Sequence, residues 1–169
     1  MKRILITGIT GMVGSHLADY LIKNTNNIIY GACRWRSPSE NIQHLSQKVN
    51  ERKRIFLKYA DLNDPISIDN IISDIKPDYV YHLAAQSFPK ASFQMPDVTF
   101  DTNINGTYRL LNSIVKNKLN PLIHICSSSE IFGKVSKDKL PINENCSFHP
   151  ASPYAISKIG TDLIGRYFF

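Results

Sequence analysis

Three glycines spaced three residues apart, Gly8, Gly11 and Gly14, follow directly on a short β-rich run, Arg3–Thr7. They lead into the helical spacing of Val13, Leu17, Ala18, Leu21 and Ile22. Few folds accommodate that order. Glycine permits a tight turn and leaves backbone N–H groups uncovered, and a helix N-terminus carries partial positive charge. The segment Thr7-Gly8-Ile9-Thr10-Gly11-Met12-Val13-Gly14 therefore reads as a strand, turn and helix that cradle the pyrophosphate of a dinucleotide, with Gly8, Thr10, Gly11, Met12, Val13 and Gly14 as contacts. A bare glycine motif says little, and its place in a βαβ unit is what gives it weight.

The rest of the chain supplies that context. Candidate strands at Arg3–Thr7, Ile28–Cys33, Ile55–Ala60, Tyr79–Leu83 and Leu122–Ser127 alternate with helical patterns. The expected fold is an α/β, doubly wound, Rossmann-like parallel sheet with helices on both faces, as one domain over residues 1–169. Ile68, Ile71, Ile72 and Ile75 mark one crossover helix. A longer helix is predicted from about Pro96 to Lys118 with Ile104, Leu111, Ile114 and Val115 inward, and another from Ser152 to Phe169 with Ala155, Ile159, Leu163 and Tyr167 inward. Lys134–Pro153 reads as a long functional loop. The final helix runs to Phe168-Phe169 without a capping glycine, proline or polar tail, which predicts a chain cut from a longer protein.

Composition narrows the classes. At 169 residues, 43% hydrophobic and 20% charged, the chain can bury one core and does not read as disordered. No apolar run approaches the roughly 20 residues of a membrane span. Met1-Lys2-Arg3 does not open a secretory signal, so the expectation is a cytoplasmic protein without membrane contact. The net charge of +6 is dispersed and not interleaved with aromatics, which argues against nucleic acid and suits an anionic small ligand. Cys33, Cys126 and Cys146 have neither disulfide nor zinc-ligand spacing and read as reduced thiols, and no metal is expected.

Twenty residues beyond Gly14, where a carboxylate would bind the ribose 2′-hydroxyl of NAD, stand Arg34 and Arg36, with no acidic residue from Ile28 until Glu40. Two guanidinium groups favour a 2′-phosphate, hence NADP. Asp61-Leu62 ends the third strand at the adenine edge. After the fourth, Leu83-Ala84-Ala85 leaves room for the cofactor, with Ser87 beyond it. His82 reads as a packed strand residue. Tyr154 and Lys158, at i and i+4, share one helix face, and a neighbouring ammonium favours the phenolate of a tyrosine whose ordinary pKa is about 10.

These residues together resemble the extended short-chain dehydrogenase/reductases: Gly-x-x-Gly-x-x-Gly, Asp61-Leu62, Leu83-Ala84-Ala85, Asn103-Ile104-Asn105-Gly106-Thr107, Ser128 and Tyr154-x-x-x-Lys158 follow in the family's order over essentially the whole chain. The resemblance implies that Ser128 and Tyr154 bind the sugar hydroxyl being oxidised, that Lys158 holds the nicotinamide ribose, and that Asn103 supports this geometry. In Ser128-Ser129-Glu130-Ile131-Phe132-Gly133, Glu130 falls where nucleotide-sugar 4,6-dehydratases carry a glutamate base. Ser129 replaces the aspartate of the dTDP-glucose enzymes, so the group most resembled is the GDP-mannose 4,6-dehydratases. That implies a catalytic set of Ser128, Glu130, Tyr154 and Lys158, and substrate contacts at Ser87, Asn103, Ser128, Ser129 and Glu130. It also implies GDP-mannose as substrate, tightly bound NADP, and a homodimer or homotetramer formed through the helices near 96–118 and 152–169. The chain departs from the group in having Ser128 where threonine is common, and in being much shorter than family members. A 4-epimerase or 4-ketoreductase, or a non-catalytic NADP-binding regulator, remains an alternative.

Overall fold

The structure, a computed structural model, describes residues 1–51 and 53–168; the predicted helix end at Phe169 lies outside them. These residues form two compact units, Met1–Ala84 with Arg109–Cys126, and Ala85–Tyr108 with Ser127 onward.

The first unit is a five-stranded parallel sheet of order β3-β2-β1-β4-β5, flanked by helices as expected. Its strands are β1 (Arg3–Thr7), β2 (Ile28–Cys33), β3 (Ile55–Tyr59), β4 (Tyr79–His82) and β5 (Leu122–Ile125), three of them ending one or two residues earlier than their apolar runs suggest. Pleating sends Ile4 and Ile6 of β1 to one face, where Ile9, Ile29 and Ile55 pack with Ala18, Leu21 and Ile22 of α1 (Met12–Asn24) and with Ile42 and Leu45 of a 3₁₀ turn, Glu40–Leu45. Leu5 and its register partner Val80 point the other way and are fully buried. Helices α3 (Pro65–Ile75) and α6 (Gly106–Lys116) supply that layer with Ile68, Ile71, Ile72, Ile75, Leu110, Leu111 and Ile114. Each such side chain contributes about 1.5–3 kcal/mol by leaving water.

Local chemistry sets the helix ends. Asp64 caps α3 by accepting from Ile66 N–H at 3.1 Å, Pro65 opens it, and Lys76 closes it in the left-handed region at φ 47°. Asp69 of α3 accepts from Ser113 Oγ (2.8 Å), Lys116 Nζ (2.9 Å) and Asn117 Nδ2 (3.1 Å), which lock α6 beside it and hold the Asp69 carboxyl below its ordinary pKa. The short helix α2 (Ser46–Asn50) was not foreseen, because five residues carry no readable period.

In the second unit the predicted helix from Pro96 to Lys118 is interrupted. It consists of α5 (Pro96–Phe100), a π-helical turn at Asp101–Asn105, and α6, with α4 (Pro89–Gln94) preceding it unpredicted. Within α6 the buried stripe is Leu110, Leu111, Ser113 and Ile114, and Val115, about 100° around the axis from Ile114, is exposed. Helix α7 (Pro153–Phe168) also buries a different stripe from the expected one. Residues four apart drift about 40° per step in a helix of 3.6 residues per turn. The series Ala155, Ile159, Leu163, Tyr167 accordingly winds from 0% exposed at Ala155 to 54% at Leu163 and 82% at Tyr167. The buried face is Tyr154, Ala155, Ser157, Lys158, Thr161 and Gly165. Val13 in α1 is likewise exposed, at the head of its helix.

Asp78 joins three strands at the base of the sheet. Its carboxylate accepts Arg3 N–H at 2.7 Å and Lys2 Nζ at 3.2 Å, its N–H reaches the Arg3 carbonyl, and its own carbonyl accepts from Leu122 N–H. The Arg3 amide, chiefly, holds this carboxyl below its ordinary value. A depressed folded-state pKa stabilises the fold above the unfolded carboxyl pKa of about 3.9, and the contribution is lost as pH falls through the folded value. Thermal melting of wild type and Asp78→Asn across acid and neutral pH is therefore expected to show a lower melting temperature for the variant at neutral pH and convergence of the two curves in strong acid. A constant difference at every pH would remove the carboxylate from this role.

Candidate active site

The glycine turn is built on two close approaches within the first unit. Gly8 stands at φ 75°, and a Cβ there would lie 2.9 Å from the Ala84 backbone, so only glycine lets β1 turn beneath the end of β4. Gly14 packs its bare Cα on the Gly8 carbonyl, where any side chain would collide. Gly11 caps α1 without a side-chain bond, its N–H on Gly8 O at 3.0 Å, and Met12 and Val13 are exposed. The first N–H groups of a helix have no intrahelical partner. The head of α1 is thus an uncovered array of donors fit for a pyrophosphate.

Thr7, which the sequence did not single out, secures this turn. Its hydroxyl meets His82 Nδ1 at 2.9 Å and accepts Leu83 and Ala84 N–H at 3.2 Å each. A hydroxyl has one donor and two acceptor sites. With both N–H groups occupying the acceptors, it donates to Nδ1 and leaves the His82 proton on Nε2. His82 is 3% exposed, a packed residue as read from the sequence.

Arg34 and Arg36 lie exposed after β2, on a turn closed by Ser37 N–H on the Arg34 carbonyl at 2.9 Å. Asn41 Nδ2 donates to the Thr10 carbonyl at 2.9 Å and ties the segment after that turn to the glycine turn. Cys33, next to Arg34, is buried, and burial raises its pKa, so the thiol stays neutral. Asp61 accepts Asn63 N–H at 3.0 Å, and Leu62 is a core residue whose carbonyl accepts from Arg109.

The second unit holds Tyr154, Lys158, Ser128 and Glu130. Tyr154 and Lys158 both lie on the buried face of α7, at 9% and 5% exposure. The head of α7 is fixed by two serines that the sequence did not mark. Ser92, fully buried, accepts Tyr154 N–H at 3.1 Å, and Ser152 accepts Ala155 N–H at 3.0 Å. Asn103, in the π turn, engages its whole amide: Oδ1 accepts Gln86 N–H at 2.7 Å, and Nδ2 donates to Gln86 O at 3.0 Å and to Ser157 Oγ at 2.8 Å. Ser157 in turn donates to the Tyr154 carbonyl at 2.7 Å. Asn103 thereby sets the backbone of the tyrosine turn and of the segment before Ser87, which is itself exposed.

Ser128 begins the 3₁₀ turn Ser129–Phe132 and accepts Glu130 N–H at 3.2 Å, which leaves its own proton free to donate. Ser129 and Glu130 are exposed. Ser152 donates to Glu130 Oε2 at 3.5 Å, a long bond that places a carboxylate at the head of the helix carrying Tyr154 and Lys158. Gly133, at φ 56°, ends the turn against the His149 carbonyl. Among the described residues no group of His, Cys, Asp or Glu is arranged to hold a metal, and no helix is long and apolar enough to cross a membrane.

The sequence profile of the GDP-mannose 4,6 dehydratase family matches residues 5–168. The GDP-mannose 4,6-dehydratase of Yersinia enterocolitica is 39% identical over 165 residues, covering 94% of this chain and 43% of that protein. A UDP-glucose 4-epimerase from Thermotoga maritima, solved with UDP-glucose, superposes with a TM-score of 0.84 at 30% identity, over 98% of this chain and 50% of that one. RMD from Pseudomonas aeruginosa, complexed with NADPH, gives 0.72 at 27% identity, over 97% of this chain and 48% of that one. The chain spans under half the length of the Yersinia relative. From the glycine turn through the Tyr154/Lys158 helix, it belongs to the GDP-mannose 4,6-dehydratase family.

Proposed function

We propose that the full-length protein is a cytoplasmic nucleotide-sugar 4,6-dehydratase that converts GDP-mannose to its 4-keto-6-deoxy product, with tightly bound NADP. The observation that carries this reading is the Glu130 carboxylate, held by Ser152 at the head of the helix that bears Tyr154 and Lys158. A dehydratase needs that carboxylate; an epimerase or ketoreductase needs only the tyrosine and lysine. Kinship with named GDP-mannose 4,6-dehydratases supports the substrate. The two arginines after β2 and the NADPH in the Pseudomonas RMD structure support the cofactor.

The residues divide the work. Gly8 through Gly14 bind the pyrophosphate, Arg34 and Arg36 the 2′-phosphate, and Lys158 the nicotinamide ribose. Tyr154, with Ser128 donating beside it, takes the proton of the sugar 4-hydroxyl as C4 is oxidised. The resulting ketone acidifies the C5 hydrogen; Glu130 removes it as a proton and passes that proton to the C6 hydroxyl, which departs as water, and a proton from solvent, balanced by the one Tyr154 took up, is added back at C5. NADP, held by the glycine turn, Arg34, Arg36 and Lys158, would supply a hydride acceptor at C4 and a hydride donor at C6, which would make the sequence redox-neutral overall. Loss of water next to a ketone-stabilised carbanion avoids expelling hydroxide from an unactivated carbon. The protein assembles as a homodimer or homotetramer, for which the exposed Ile156, Leu163 and Tyr167 of α7 offer an apolar face.

Replacing Arg34 and Arg36 together by alanine is expected to weaken NADP binding by roughly 1–3 kcal/mol, with NAD binding little changed. Isothermal titration of both cofactors checks this, and equal loss for the two would remove the 2′-phosphate role. Glu130→Gln in the full-length enzyme keeps hydrogen bonding but removes the base. It should still oxidise C4, accumulate reduced cofactor absorbance, and lose about 10²–10⁴-fold in product formation, with equally slowed deuterium wash-in at C5. Near-normal product formation by this variant would return the assignment to an epimerase or reductase.

A further inference from the structure

Trp35 is the only tryptophan in the chain, and it is 71% exposed. Large aromatics are highly buried on average, since they contribute to stability chiefly through burial. Trp35 does not do this. It occupies the turn between Arg34 and Ser37, and the Arg36 guanidinium carbon lies over its ring, 4.5 Å from the centroid. Among the described residues neither Arg34 nor Arg36 is paired with a carboxylate. The indole is therefore the partner that the structure gives Arg36.

A guanidinium lying over an aromatic ring uses its flat face for the ring and keeps its in-plane N–H donors for another ligand. A long arginine side chain free in solvent must lose rotamer entropy when it grips an anion, and one already resting on a ring has lost part of it. We propose that Trp35 is a specificity-determining positioning residue: it acts through Arg36, holding that guanidinium ready for the 2′-phosphate of NADP, so that discrimination against NAD depends on the indole as well as on the two arginines. This rests on the 2′-phosphate reading of Arg34 and Arg36.

The test uses 2′,5′-ADP and 5′-AMP, which differ by the phosphate in question, titrated calorimetrically into the full-length protein, Trp35→Leu and Trp35→Phe. Both variants keep both arginines and alter an exposed side chain, and unchanged thermal melting confirms their folding. Trp35→Leu is expected to bind 2′,5′-ADP roughly 5- to 30-fold more weakly, in line with the loss of a cation–π restraint, and 5′-AMP within about twofold of wild type. Trp35→Phe retains a ring and should recover most of the affinity. The Trp35 emission, obtained as wild type minus Trp35→Phe, should respond to 2′,5′-ADP and much less to 5′-AMP. Equal weakening for both ligands in Trp35→Leu would place the indole on the adenine and overturn the proposal. So would unchanged 2′,5′-ADP affinity. A wild type that does not distinguish the two ligands would remove the 2′-phosphate reading itself, which the double arginine variant tests independently of Trp35.

Discussion

The Thr7 hydroxyl, where β1 ends against β4, is the contact on which the glycine turn of the first unit depends. It gathers His82 and the N–H groups of Leu83 and Ala84. One residue later, Gly8 must turn with Ala84 backbone only 2.9 Å from where a Cβ would be. That proximity requires glycine at position 8, and the head of α1 emerges at the carboxyl edge of the sheet. A larger residue at Gly8 or Gly14 would push α1 away from the turn.

The second unit is organised by polar rather than apolar packing. Asn103, Ser157, Ser92 and Thr161 are all buried, and each has its bonds satisfied by backbone or by another of the set. Buried polar groups are costly when unpaired and rigidifying when paired. Here the network fixes the first turn of α7 and therefore the direction of Tyr154 and Lys158. The π turn at Asp101–Asn105 belongs to the same device: it sets Asn103 where its amide reaches Gln86 and Ser157 at once. Ser128, half-buried, and Glu130, exposed, sit instead on the short turn that ends at Gly133.

Charge is arranged in the same spirit. The segment after β2 presents two guanidinium groups and no carboxylate, and the neighbouring Cys33 is kept neutral by burial. The carboxylates of Asp69 and Asp78, whose pKa values are lowered, are engaged in holding helices and strands together.

Much of this was legible in the sequence because it depends on local rules. Glycine spacing specifies a turn, alternation of strand and helix specifies a parallel sheet, and i,i+4 spacing puts Tyr154 and Lys158 on one face. The strand assignments held to within two residues, and the four isoleucines of α3 are all buried. What failed required knowing the third dimension. The inward stripe of α7 was misread because its buried face is polar and its apolar residues drift around the axis. Val115 was misread because it lies at the margin of the stripe formed by Leu110, Leu111 and Ile114, on the solvent side. Thr7, Ser92, Ser152 and Ser157 carry no sequence signal, since a threonine or serine becomes a hub only when distant backbone is brought to its hydroxyl. The sequence by itself determined the fold class and the chemical groups; tertiary structure alone decided which of them are oriented, because hydrogen bonds between residues far apart in the chain have no periodicity to read.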